Sequence, residues 1–276
     1  NKLDAQEKIK GINLAKKKLS QRFSGVVGVN MSYSTKSAFT NTKINKSLIE
    51  KTKKLNVLIC THCFFDNPHA YGGNLFADFY EWIKFLAKIS HKTNYNWYIK
   101  PHPDYLPGTI EIIKKLSKNF KSIKLLNPES SFHQLKKEGL DFVLTTYGTV
   151  AHELPLLGIN VINADKYNPN SSFKYSYTPN SLKNYRNIIL NLHKFKSLIK
   201  YKKEIYKFYY IHHYFLITKN LFLKNKENRI NSNYFSLNES NSRKILEDRI
   251  EKFLNSGNKY MLEDKKLKII NQLEKN

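Results

Sequence analysis

Five short apolar runs, each followed by an amphipathic segment, constrain the fold of this chain more than any other feature of its sequence. The runs are rich in β-branched and aromatic residues, as in NVLIC and NWYIK, and this composition indicates buried strands. The segments after them have apolar residues at every third or fourth position, which indicates helices that pack on a sheet. The five runs span residues 56–60, 96–100, 122–126, 140–145 and 159–164.

This alternation predicts an α/β fold, namely a Rossmann-like parallel sheet with helices on both faces. Basic amphipathic segments at 4–23 and 200–226 predict helical extensions at the two ends. We expect three parts: an N-terminal helical and irregular segment at 1–54, the Rossmann-like domain at 55–195, and a basic, aromatic helical extension at 196–276. The other predicted helices span 75–89, 110–120, 131–139, 150–158 and, after a polar linker at 225–243, 244–254.

The excess of basic residues lies at the two ends of the chain, which has a net charge of +25. Residues 1–54 contain 13 Lys and Arg against 3 acidic residues, residues 194–276 contain 19 against 9, and the part between them contains 15 against 10. Such flanks are attracted to an anionic membrane, at about 1 kcal/mol per basic residue, or to nucleic-acid phosphates. An AT-rich genome explains the excess equally well, because it favours Lys, Asn, Ile, Tyr and Phe.

The two cysteines, Cys60 and Cys63, have no spaced partners, so they exclude a disulfide framework and favour a reducing compartment. With His62 and His69 they suggest zinc, but structural zinc sites pair C-x2-C with a second ligand pair downstream, and none follows. We therefore expect no metal and no cofactor. The opening decapeptide lacks the apolar core of a signal peptide. We expect a cytoplasmic fragment of a longer protein.

Polar residues, glycines and prolines crowd the segments that follow the expected strands, whereas the opposite junctions carry little beyond surface polar residues. The carboxyl ends of parallel strands meet at one edge of a sheet, and ligands of such sheets bind there. We therefore expect these segments to line one cleft. They span residues 61–73, 101–109, 127–131, 146–149 and 165–170.

The turn after the fourth run has the signature of an anion site. Gly148 lies among Thr146, Tyr147 and Thr149 where the chain enters a helix. The first N–H groups of a helix are unpaired, and its positive dipole end attracts phosphate or carboxylate groups. Thr149 can equally be a plain N-cap. Glu153 follows one helical turn later.

Two motifs of the central part are similar to those of a known family. YIKPHPD, followed by TTYGTVAHELPLLGINVINA, resembles the C-terminal, nucleotide-sugar-binding domain of GT-B-fold glycosyltransferases of bacterial capsule and surface polysaccharide assembly. The pattern is also similar to that of the CDP-glycerol glycerophosphotransferases of teichoic acid synthesis. The resemblance covers roughly residues 55–195. It implies a donor-binding half that works with an N-terminal, acceptor-binding domain.

The resemblance also implies roles for individual residues. It assigns His102 to the donor phosphates, and an imidazole held between two prolines at a strand end suits that role. Lys100, on the same side of the strand, adds positive charge or pairs with a neighbouring acid. Residues 146–149 would cradle the pyrophosphate with backbone N–H groups and the Thr149 hydroxyl, and Glu153 would bind ribose or sugar hydroxyls. The alternatives are a backbone-bonded turn histidine for His102 and a helix-surface carboxylate for Glu153.

The loop at 61–73 adds candidates for the chemistry. Asp66 and His69 are expected at the cleft, either as a general base or to hold the leaving group. A base from another domain is an equal candidate. Ser131 has the features of a helix N-cap and is also a candidate contact for the nucleotide base.

The expected function is that of a glycosyltransferase, which transfers a sugar from a nucleotide-activated donor to a growing capsular polysaccharide. Its expected partners are a nucleotide sugar, a polysaccharide or lipid-linked glycan acceptor and the anionic inner face of the plasma membrane, with no specific nucleic acid. Two alternatives stay open. One is a CDP-glycerol-type polyol-phosphate transferase. The other is a nucleic-acid or anionic-surface binding module, because aromatic and basic residues are interleaved at 200–223.

Overall fold

The computed structural model describes residues 4–29, 34–40, 46–195 and 197–215. Within these ranges five parallel strands form one sheet in the order β3-β2-β1-β4-β5. The predicted α/β fold is confirmed, and every strand lies within one or two residues of its predicted position. The strands are β1 (Asn56–Cys60), β2 (Asn96–Lys100), β3 (Ile123–Leu125), β4 (Phe142–Thr145) and β5 (Asn160–Asn163).

The predicted helices follow the expected pattern with two differences that have local causes, and the structure adds a helix, α6, that the sequence analysis did not predict. Helix α2 begins four residues later than predicted, because Asp78 accepts the Glu81 N–H at 2.7 Å and caps it. Helix α5 changes to a 3₁₀-helix (Leu154–Leu157), because Pro155 has no N–H to continue the α-helical ladder. The helices are α1 (Ala5–Phe23), α2 (Phe79–Ser90), α3 (Thr109–Asn119), α4 (Phe132–Lys137), α5 (Val150–Glu153), α6 (Leu182–Leu190) and α7 (Lys202–Tyr210).

Both faces of the sheet are covered, as the continuous apolar strands require. Along β1, Val57 and Ile59 pack in one core with residues of α2, α3 and α6. Leu58 and Cys60 point to the other face and pack in a second core with residues of α4 and α5. Phe39 and Ile49 are buried in this second core, so residues before position 55 share a core with the sheet.

The two ends of the described chain pair with each other. Helices α1 and α7 pack together and bury a third apolar cluster. Gly11 permits the close approach, since a Cβ atom there would lie 2.5 Å from the Tyr210 ring. The predicted linker at 225–243 and helix at 244–254 lie outside the described residues. The cluster buries Ala15, Leu19, Tyr175, Ile205, Phe208 and Tyr209.

The aromatic residues of α7 therefore lie between helices, and this explains the interleaved pattern at 202–210 by packing. In the part of the chain that the structure describes, no helix combines the length and the apolar character needed to cross a bilayer.

Candidate functional site

The strand order places a crevice between β1 and β4. The chain runs from β1 outward to β2 and β3 and then returns to the other side of β1, so β1 and β4 are neighbours whose following loops diverge. Open α/β sheets bind ligands outside the carboxyl ends of the strands at such a point. The loops that border it here are 61–78 after β1 and 146–149 after β4, with 101–108 after β2 beside them.

His62 lies at this crevice and joins its two sides. Its Nε2 atom is 3.2 Å from Oγ1 of Thr145 and accepts the Tyr147 N–H at 3.4 Å. Its ring stacks on Phe79 and contacts the Tyr147 ring. Burial lowers the pKa of His62 to about 3, so the imidazole is neutral at physiological pH. The sequence interpretation considered His62 only as a metal ligand, although its position directly after β1 is a signal for the crevice.

The turn at 146–149 differs from the predicted phosphate cradle. The Tyr147 N–H is bonded to His62, and the Gly148 N–H donates to Thr145 Oγ1 at 3.3 Å. A Cβ atom at Gly148 would lie 2.9 Å from the same hydroxyl, so glycine is needed where the turn packs against β4. Helix α5 has only four residues before the 3₁₀-helix, which limits its dipole. Two of the expected donors are therefore already bonded to side chains of the protein, those of His62 and Thr145.

The hydroxyl groups of this turn are also placed internally. Thr149 lies at the N-cap position, but its side chain makes no capping bond and instead donates to Oε2 of Glu153 at 3.3 Å. Thr146 is fully buried, and its Oγ1 has no hydrogen-bond partner among the described residues. Tyr147 donates its phenolic hydroxyl to the Asn67 carbonyl at 2.7 Å and so ties the turn to the loop after β1.

Glu153 is buried in an ion pair rather than open to the cleft. Its Oε1 accepts a hydrogen bond from Nε of Arg22, on α1, at 3.0 Å, and its side chain is 1% exposed. Neither the predicted contact with ligand hydroxyls nor the surface alternative describes this arrangement. The physical reason is the docking of α1, which brings Arg22 to a residue 131 positions away.

Lys100 is the last residue of β2 and is 2% exposed. Of the two sequence alternatives, pairing with an acid is not found, because no carboxylate within the described residues forms an ion pair with it. Its Nζ lies 5.2 Å from the centre of the Phe132 ring, and the neighbouring buried group is the Cys60 thiol. Burial lowers the pKa of Lys100 to about 8. This ammonium group is thus desolvated, and the described part of the chain supplies no counter-ion for it.

His102 follows two residues later and is exposed at the cleft. Its Nδ1 faces the main chain of Asp104 at 3.1 Å, and the tautomer in which Nδ1 accepts the Asp104 N–H leaves a proton on Nε2. Partial desolvation lowers its pKa, and the positive charge of Lys100 adds to that effect. Asp104 is itself held by the main chain and hydroxyl of Thr35, at 2.9 and 3.0 Å. In that tautomer His102 offers a donor in the loop that follows Lys100.

The loop after β1 carries the two predicted candidates for the chemistry, and both are exposed. His69 bonds through Nε2 to the Ala77 carbonyl at 2.9 Å, so Nε2 carries the proton and Nδ1 is left as an acceptor. Desolvation raises the pKa of Asp66 above its ordinary value. Asp165, two residues after β5, is fully buried beneath this loop with its Oδ2 unpartnered in the described chain, and the sequence interpretation did not single it out.

Ser131 has a structural role in the observed geometry. Its hydroxyl accepts the His133 N–H at 3.2 Å as the N-cap of α4 and donates to the Thr40 carbonyl at 2.6 Å. The hydroxyl proton of Ser131 is therefore already used in a hydrogen bond, and the N-cap alternative accounts for this residue. Its contact with a nucleotide base stays a prediction.

No family model matches the chain, and no curated protein matches it in sequence. Several solved structures are similar to it, among them two of a wall teichoic acid polymerase. A variant of the wall teichoic acid polymerase TagF aligns with a TM-score of 0.35 and 13% identity over 59% of this chain and 40% of that chain. TagF itself aligns with a TM-score of 0.31 and 14% identity over 72% of this chain and 44% of that chain. The chain thus spans less than half the length of the polymerase chains that it matches.

Proposed function

We propose that this chain binds the phosphates of a nucleotide-activated donor and acts in a transferase. The observation that supports this proposal best is Lys100, a buried ammonium group at the carboxyl end of β2 that forms no ion pair with a carboxylate of the described residues. His102 lies two residues further on, in the loop after β2, and in the tautomer in which Nδ1 accepts the Asp104 N–H its Nε2 can donate. A phosphate between them supplies the missing negative charge and accepts both donors.

The energetics favour an anionic ligand at Lys100. A buried charge without a partner is costly, and the cost appears as the pKa of about 8. An anion that binds there removes the penalty, and each charge-assisted hydrogen bond contributes roughly 1.5 to 3 kcal/mol. The site is therefore expected to prefer nucleoside diphosphates to nucleosides.

The proposed reaction transfers a sugar from the donor to a growing surface polysaccharide or a lipid-linked glycan. His69, with Nδ1 as the acceptor, is the proposed general base, and Asp66 is the second candidate on the same loop. A polyol phosphate carried by a CDP-glycerol-type donor is the alternative group, since its donor presents the same pyrophosphate to Lys100 and His102.

A binding screen tests the proposal. The protein is titrated by calorimetry with CMP, CDP, UDP, GDP, their sugar derivatives and CDP-glycerol, and its melting temperature is followed in parallel. At 100-fold excess over Kd, linkage predicts about 2.7 kcal/mol of stabilisation. His102→Ala should weaken binding by roughly 1.5 to 3 kcal/mol with little change in melting temperature without ligand. Failure of every nucleotide to bind would contradict the proposal.

The basic ends support a peripheral association with the anionic inner face of a membrane as part of this proposal. Co-sedimentation with phosphatidylserine-containing vesicles should exceed that with phosphatidylcholine vesicles and should fall as salt is added. Equal recovery with both vesicles would leave the charge without a membrane role. Salt-sensitive binding of single-stranded DNA stronger than nucleotide binding would favour the nucleic-acid alternative instead.

A further inference from the structure

His102 lies between two prolines just after β2, so the main chain around it offers few hydrogen-bond donors. Pro101 and Pro103 have fixed φ angles and no N–H group. The first main-chain N–H after His102 is that of Asp104, and both this N–H and the Asp104 carbonyl lie 3.1 Å from Nδ1. The orientation of the His102 ring therefore depends on where the main chain of residue 104 is held.

The Asp104 side chain fixes that main chain through a contact with the N-terminal segment. Its Oδ2 accepts the Thr35 N–H at 2.9 Å, and its Oδ1 accepts the Thr35 hydroxyl at 3.0 Å. Both carboxylate oxygens are thus bonded to one residue, which lies 69 positions away in the sequence. Two bonds to one partner fix the plane of the carboxylate as well as its position, so they restrain residue 104 more than a single bond would.

The segment at 34–40 is attached to the rest of the protein by other contacts as well. Phe39 is fully buried in the core on the α4 and α5 face of the sheet. The Ala38 carbonyl accepts the Phe132 N–H at 3.0 Å. The segment is therefore anchored without Asp104, and the contact between Asp104 and the segment serves to restrain the loop after β2.

We propose that Asp104 and Thr35 are positioning residues for His102, which keep Nδ1 turned toward the main chain and leave Nε2 as the ring nitrogen presented to the donor phosphates. This inference rests on the proposed function and adds two residues to it, one of them before the predicted start of the Rossmann-like domain at residue 55. Both act through His102, whose Nε2 donates to a phosphate oxygen when Nδ1 accepts the Asp104 N–H.

Three variants test this role while the imidazole stays in place. Asp104→Ala removes both bonds to Thr35, and Asp104→Asn keeps an acceptor oxygen for one of them. Thr35→Val removes only the hydroxyl bond, and it is the variant that decides if Asp104→Ala does not fold. Binding of inorganic pyrophosphate, CDP and UDP is measured by calorimetry at constant ionic strength.

NMR shifts of the two His102 ring nitrogens show directly which of them carries the proton. They are measured at pH 8, above the ordinary histidine pKa of about 6.5, so that the ring is neutral. A purely structural contact would leave this tautomer unchanged when it is removed. The tautomer therefore separates positioning of the ring from a general effect on stability.

Glu138→Ala is the matched control. The Glu138 carboxylate also holds the N-terminal segment, since it accepts the N–H groups of Leu48 and Ile49 at 2.7 and 3.0 Å. It lies at the C-terminal end of α4, which begins at the carboxyl edge of the sheet and runs back toward the opposite edge. Both alanine variants remove one negative charge, and this change alone would favour an anionic ligand. A loss of affinity confined to Asp104→Ala therefore reports the position of His102.

We expect Asp104→Ala to bind pyrophosphate and the nucleoside diphosphates about 10-fold more weakly, because a hydrogen bond to the phosphate is lost. It should show both neutral tautomers of His102, whereas the wild type should carry the proton on Nε2. Thr35→Val should shift the tautomer in the same direction to a smaller extent. Asp104→Asn and Glu138→Ala should keep affinities within about 3-fold of the wild type.

Wild-type affinity or an unchanged tautomer in a folded Asp104→Ala would overturn the proposed role, as would an unchanged tautomer in Thr35→Val. An equal loss of affinity in Glu138→Ala would overturn it too, because the loss would then come from the N-terminal segment as a whole. If the wild type binds none of these anions, the proposed function fails, and the tautomer of His102 still decides whether Asp104 positions its ring.

Discussion

The two strand-end segments that looked most alike as anion sites differ in how the fold uses their donors. In the turn after β4, the Tyr147 and Gly148 N–H groups and the Thr149 hydroxyl all have partners inside the protein. At the end of β2, Lys100 has no counter-ion within the described chain, and His102 in the loop that follows is exposed. The proposed function therefore places the donor phosphates at the strand end whose polar groups the described fold does not already use.

The largest expected effect concerns the ion pair between Arg22 and Glu153, beside the turn after β4. Arg22→Met leaves the Glu153 carboxylate buried without its guanidinium partner, so the free energy of unfolding should fall by about 3 to 5 kcal/mol. Urea denaturation of the wild type and Arg22→Met at pH 7 measures this loss. A loss below about 1 kcal/mol would show that the pair behaves like an exposed one.

Removal of the Lys100 charge, at the end of β2, should change the free energy of unfolding in the opposite direction. The folded-state pKa of Lys100, about 8, lies below its ordinary value of 10.5, so the folded protein is penalised for holding this proton. The penalty is full below pH 8 and disappears as pH rises from 8 to 10.5. Lys100→Met should therefore raise the free energy of unfolding at pH 7 by up to about 3 kcal/mol.

Urea denaturation of wild type and Lys100→Met between pH 7 and pH 10 checks this prediction. The difference between them should shrink steadily above pH 8. A destabilised Lys100→Met at pH 7 would mean that Lys100 has a favourable partner, and the contrast between the two strand ends would then disappear.

A smaller effect is expected at Gly148. A Cβ atom there meets the Thr145 hydroxyl at 2.9 Å, so Gly148→Ala should lower the free energy of unfolding by about 1 to 3 kcal/mol and change nucleotide affinity little. Melting curves and calorimetry on the same sample separate the two effects. If Gly148→Ala kept its stability and lost nucleotide binding, the result would instead support an anion site at the turn.

The sheet was predictable because its determinants are local. Each strand is a continuous apolar run bounded by polar or turn-forming residues, and burial on both faces requires no other information. The same holds for Lys100 and His102, whose places follow from the end of β2. The α2 boundary was missed because Asp78 caps the helix inside an apolar segment.

The partners of the β4 turn were not predictable because they come from distant parts of the chain. His62 reaches Thr145 across 83 positions, and Arg22 reaches Glu153 across 131. Nothing in the turn itself indicates that α1 would dock there. Buried polar pairs of this kind depend on tertiary packing, so residue type and spacing suggested a ligand where the fold supplies a protein partner.

Proton uptake on nucleotide binding tests the central claim most directly. A phosphate next to Lys100 raises its pKa from about 8, so binding at pH 8 should take up a substantial fraction of one proton. Calorimetry of CDP and UDP in two buffers of different ionisation enthalpy measures that fraction. The wild type should show it and Lys100→Met should not. Nucleotide binding without proton uptake, or equal uptake by Lys100→Met, would contradict the assignment of Lys100 to the donor phosphates.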